Sequence, residues 1–173
     1  MKGIVLDTLT TPVLLLCICI LIICSAYFSA AEIGLMSLNR YRLRHLIKKR
    51  HKQAVRVGRM LERPDRLLGV ILIGNTCANI YASAVVTKLS ERVWGDWGLI
   101  FGPIVLTIVL LIFGEIGPKT VAALYPQKVA FAVSRSLNII QRLFYPLVWL
   151  ANGFTNSLLT FVGIKYIRIE AKI

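Results

Sequence analysis

Acidic side chains are scarce in this 173-residue chain, with 8 Asp and Glu against 21 Lys and Arg, and charged residues make up only 17%. An ordinary soluble domain is about a quarter charged. With 57% hydrophobic residues and a mean hydropathy of +0.71, the chain falls in the membrane class. Histidine is nearly missing as well. His45 and His51 lie in a basic segment between apolar runs, so no imidazole stands at membrane depth to act as a base. No nucleophile–Gly motif is present either, and the chain is read as a non-enzyme. Cys17, Cys19, Cys24 and Cys77 sit inside apolar runs without Cys-x-x-Cys spacing. They read as small hydrophobes, with no disulfide framework or zinc site.

What is plentiful is apolar sequence in long runs. Spans are expected at about 12–38, 67–87 and 99–116, each long enough for a bilayer core of about 30 Å. The net charge of +13 is unevenly placed, with 11 of the 21 basic residues between Arg40 and Arg66. Such a cluster beside a span marks the cytosolic side and suits anionic headgroups better than nucleic acid. The expected topology has the N-terminus outside and the basic 40–66 segment and C-terminus in the cytosol, in a plasma or inner membrane. A basic cytosolic helix is expected over 40–62, and an outer loop with Trp94 and Trp97 as interface anchors over 88–97. Residues 137–163 are long enough to cross. A polar stripe (Asn138, Arg142, Tyr145, Trp149, Asn152, Asn156) and basic residues at both ends instead favour an amphipathic juxtamembrane belt helix, broken near Gly153. The predicted fold class is therefore all-α integral membrane, a single domain over 1–173.

Polar residues inside the spans form aligned sets. Ser25 and Ser29 stand four apart with Glu32 three further on; Asn75 and Asn79 stand four apart with Ser83 continuing the stripe. Glu115 lies between Gly114 and Gly117 in LIFGEIGPKT. At ~1.5 Å per residue Ser25 and Ser29 lie roughly 18–25 Å below the outer end of the first span. Glu115 lies about 24 Å below Leu99, and Asn75 and Asn79 about 12–18 Å above the inner end of the second. One common level is expected. Pro118 lacks an N–H, which deprives the Gly114 carbonyl of its α-helical donor. Hydroxyls, amide oxygens, one carboxylate and loose carbonyls make an all-oxygen set that suits a hard cation such as Mg²⁺ or Na⁺. Blander readings exist for several members. Span serines bond to their own backbone, asparagine pairs glue helices together, and Glu32 is expected to pair with Arg40 or Arg42. For Glu115 the functional reading outweighs the bland one, because an intramembrane carboxylate is costly and usually functional.

SAYFSAAEIGLMSLNR, IGNTCANI and GEIGPKT, in that order and spacing, resemble the three span motifs of the CNNM/CorC magnesium transporters. The resemblance implies a homodimeric three-span domain with a belt-like juxtamembrane helix, exporting Mg²⁺ in exchange for Na⁺. It implies dehydrated Mg²⁺ held by Ser25, Ser29, Asn75, Glu115 and the Gly117 carbonyl, with Asn79 a possible extra ligand. The missing N–H points to Gly114 as the carbonyl donor and the resemblance to Gly117. Ala30 and Ala31 depart from the family's small polar pair but remove no ligand. The nucleotide-binding cytosolic CBS modules that usually follow in the family are absent from these 173 residues. The competing expectation is a membrane anchor or scaffold whose intramembrane polar residues serve helix packing alone.

Overall fold

The computed structural model describes residues 11–144, and among them every regular element is helical. Pro12 falls in the first turn, where its missing N–H is harmless, and the apolar run after it forms α1 (Thr11–Met36). Asn39 starts α2 (Arg40–Lys48), its side-chain oxygen accepting the N–H groups of Tyr41 and Arg42 at 3.0 and 3.1 Å, as an N-cap should. At the other end of α2, the Arg50 N–H donates to the Ile47 carbonyl at 2.8 Å and the His51 N–H to the Leu46 carbonyl at 3.1 Å. This is a Schellman closure with Arg50, at φ 56°, where glycine is usual. The chain reverses into α3 (Lys52–Leu61). The single basic helix expected over 40–62 is thus a helical hairpin.

Pro64 opens α4 (Pro64–Trp94), where a missing N–H is harmless in the first turn. The loop expected over 88–97 is largely helix. Nothing between Lys88 and Trp94 breaks it, and Lys88 pairs with Glu91 at 3.2 Å one turn on. The turn falls at Gly95, φ 61°, a left-handed backbone that favours glycine. Then follow α5 (Asp96–Val109), a π-helical segment (Leu110–Ile116), α6 (Gly117–Leu124) and α7 (Pro126–Leu143). Among the described residues α1, α4 and the continuous rod Asp96–Leu124 are long and apolar enough to cross a membrane. The protein is an all-α multi-pass membrane protein. Of the juxtamembrane helix expected over 137–163, residues 137–143 form the last turns of α7 and Phe144 caps it; residues 145–163, including Gly153, lie outside the described residues.

Three landmarks fix α1 and α4 as antiparallel neighbours. Leu14 clusters with Val85, Ser25 meets Asn75, and a Cβ on Gly74 would collide with the tip of the Phe28 ring. The third rod returns along α4 with Gly98 and Gly102 pressed on Ser90, and reaches α1 where Gly114 meets Ser25. Such small-residue contacts hold helices together where lipid offers no hydrophobic drive. At the Met36 end, a core of Leu35, Leu43, Val57, Leu61, Leu67 and Leu137 joins α1, the basic hairpin, α4 and α7. The buried positions of α7, namely Ala130, Val133, Ser134 and Leu137, follow helical spacing. The Tyr27 hydroxyl adds a 2.6 Å hydrogen bond to Ser136 Oγ.

Candidate functional site

Several hydroxyls in the crossing helices do what the bland reading expects. Thr87, Ser90, Thr107 and Thr120 each donate to the carbonyl four residues earlier, at 2.7–2.8 Å, the usual local solution for such side chains. Ser25 and Ser29, both 0% exposed, do not. Ser25 Oγ donates across the helix boundary to Asn75 Oδ1 at 2.8 Å. Ser29 Oγ and Asn79 Oδ1 are buried with no hydrogen-bond partner among the described residues. An unsatisfied buried oxygen costs about 1–3 kcal/mol. Two of them beside one satisfied pair form a local excess of acceptor capacity.

The third rod meets this pair at its irregular part. A Cβ on Gly114 would lie 3.1 Å from Ser25 Oγ and 3.2 Å from Leu110 Cδ2, so glycine is what lets the backbone come this close. Glu115 follows, half-buried. The segment is π-helical because the proline ring of Pro118 would clash with the carbonyl four residues back, and a wider turn relieves that clash. The Gly117 N–H accordingly reaches the Ile112 carbonyl, five residues back. In that i→i−5 register the carbonyl facing Pro118 is Phe113, whereas an α register gives Gly114. The missing N–H therefore leaves a donor gap across both. Gly117 opens α6, whose α register directs its carbonyl at the N–H of Val121. π-helical turns recur at functional sites, and no sequence period announces this one.

The structure thus brings Ser25, Asn75, Gly114 and, next in chain, Glu115 to one level. Ser29 and Asn79 step away from it in opposite directions, because α1 and α4 are antiparallel. Each is one turn, about 5.4 Å, from the Ser25–Asn75 bond. Ser29 falls level with Pro118, and Asn79 with the start of the π segment. Glu32 pairs with Lys119 at 3.4 Å, both half-exposed. That overturns the expected partners Arg40 and Arg42: they follow the turn at Asn39 and belong to another helix. Lys119, unremarked in sequence, brings an ammonium to the end of the site at which α1 meets α6.

The profile for the cyclin M transmembrane N-terminal domain matches residues 16–172. The chain belongs to the CNNM family. Similar proteins include the UPF0053 inner membrane protein YfjD of Escherichia coli (strain K12), 51% identical over 82% of this chain and 33% of its own length. A UPF0053 protein of Haemophilus influenzae is 46% identical over 92% of this chain and 38% of its own length. The polyamine export protein of H. influenzae is 27% identical over 89% of this chain and 39% of its own length. The chain thus spans about a third of the length of these CNNM-type relatives.

Proposed function

We propose that this CNNM domain exports Mg²⁺ in exchange for Na⁺, binding the dehydrated ion at the level of Ser25, Asn75 and Glu115 with a backbone carbonyl near Gly117, while Ser29 and Asn79, one turn to either side, are the oxygens it meets on its way in and out. What carries the reading is the pair of orphaned buried oxygens, Ser29 Oγ and Asn79 Oδ1, flanking the Ser25–Asn75 bond beside an interrupted helix. Broken helices at membrane depth hold ions in transporters. The donor set is all oxygen, which excludes a preference for zinc or copper. Glu115 alone neutralises half of a divalent charge, so the ion is released readily, as transport needs. Direction and Na⁺ coupling follow from the family resemblance. So do a homodimer and cytosolic CBS modules in the longer protein, with the basic end in the cytosol by the positive-inside rule.

The experiment is Mg²⁺ efflux from loaded vesicles carrying wild type, Glu115→Ala or Ser25→Ala. Loss of Na⁺-dependent efflux in both variants supports the reading, and wild-type rates in both refute it. A membrane scaffold, in contrast, gains no thermal stability from millimolar Mg²⁺. A second reading, polyamine export, is favoured by one observation. The Lys119 ammonium lies 3.4 Å from a Glu32 carboxylate oxygen, so this end of the site already accepts a primary alkylammonium, and one relative is named for polyamine export. Spermidine efflux without Mg²⁺ efflux selects that reading.

A further inference from the structure

We propose that the crevice between α2 and the α6–α7 turn binds one anionic glycerophospholipid at the membrane boundary. A cavity of about 330 Å³ opens there, where α1 has ended at Met36 and α6 at Leu124. Leu43, Leu46 and Phe131 give it an apolar floor, and Arg42, Gln127 and Lys128 a rim of hydrogen-bond donors. No acidic side chain lines it. Arg42 and Lys128 are both exposed, and neither joins an ion pair among the described residues. The Lys128 ammonium stands 5.2 Å from the centre of the Tyr125 ring, and both residues line the crevice.

Charge and shape together choose the occupant. Two uncompensated cations match one phosphodiester, with the Gln127 amide for a headgroup hydroxyl. A free phosphate gains nothing from the apolar floor, whereas a glycerol backbone and the first carbons of acyl chains do. The volume admits a headgroup and glycerol but not whole chains. These have a route outward over Leu124, 68% exposed at the membrane edge. The surrounding 40–66 segment, with 11 of the chain's 21 basic residues, concentrates anionic lipid nearby.

The test is native mass spectrometry of the full chain in detergent, titrated with phosphatidylglycerol or phosphatidylcholine, with inorganic phosphate as competitor. The variants are Arg42→Gln/Lys128→Gln and a control pair on the same hairpin, Arg44→Gln/Arg59→Gln. All four positions are exposed, so folding is retained, and a circular dichroism melt verifies it. One tightly held phosphatidylglycerol is expected, preferred over phosphatidylcholine and resistant to phosphate. Its affinity should fall about tenfold or more in the first variant, since a charge-assisted hydrogen bond to the phosphodiester contributes roughly a tenfold factor, and stay unchanged in the control, whose side chains do not line the crevice. Equal loss in the control, equal affinity for phosphatidylcholine, or displacement by phosphate overturns the proposal. So does a cross-link seating the 145–173 segment in the crevice.

Discussion

Ser25 and Asn75, fifty positions apart, are joined by a 2.8 Å hydrogen bond from Oγ to Oδ1 at the level where Gly114 touches α1. Every other element of the candidate site is placed by reference to this bond. The antiparallel run of α1 and α4 carries Ser29 one way and Asn79 the other. The parallel run of α1 and the third rod brings Pro118 level with Ser29.

Ser25 is fully buried and Asn75 half-buried, so cutting either side of that bond leaves the other without its partner. Ser25→Ala or Asn75→Leu should each lower stability in detergent by about 1–3 kcal/mol. A double-mutant cycle should show coupling of about 1 kcal/mol. Denaturation curves of the three variants measure it, and full additivity would show that the two side chains do not interact.

Two glycines separate packing from function. A Cβ on Gly74 runs into the Phe28 ring, while a Cβ on Gly114 meets the Ser25 hydroxyl at 3.1 Å. Gly74→Ala should destabilise by about 1–3 kcal/mol through overpacking. Gly114→Ala needs only a few tenths of an ångström of movement, so it should fold and lose Mg²⁺-dependent stabilisation. Melting curves with and without Mg²⁺ distinguish the two.

Pro118 is expected to hold the π segment open. Pro118→Ala restores an N–H and removes the ring clash, so the segment should relax toward α-helix, with thermal stability equal or higher and transport lost. Amide exchange at residues 113–117, slower in the variant, checks the structural half of this expectation. Unchanged exchange with unchanged transport would assign the π turn to some other cause.

How much of this was legible beforehand depends on the kind of signal. Serine, asparagine and glutamate inside apolar runs stand out against their surroundings, so Ser25, Ser29, Asn75, Asn79 and Glu115 could be picked from sequence. The crossing helices could be read because their apolar runs are long and nearly free of charge. The break at Arg50 could not, since a left-handed cap normally announces itself with glycine and here carries arginine. Residues 88–97 misled because charge resembles a loop, although Lys88 and Glu91 simply pair along a helix. The π register has no period of its own, so Pro118 pointed to Gly114 alone when the donor gap extends to Phe113. Proximity in sequence points Glu32 to Arg40 and Arg42, whereas its partner Lys119 lies far along the chain and close in space.

The Glu32–Lys119 pair is half-exposed, so Lys119→Gln should change stability by no more than about 1 kcal/mol. Its effect should fall on the cation instead. Freed of its internal ammonium, Glu32 should draw Mg²⁺ or spermidine more strongly to the same end of the site, lowering the concentration needed for half-maximal transport. An unchanged half-maximal concentration for both cations removes Lys119 from the ion route.

The most direct measurement is calorimetric titration of Mg²⁺ into the purified domain, comparing wild type with Glu115→Gln, Ser29→Ala and Asn79→Leu. Saturable binding to wild type, abolished in Glu115→Gln and weakened in both of the others, is the expected result. Wild-type Mg²⁺ affinity in all three variants, or no saturable binding to the wild-type domain, would contradict an ion site at this junction.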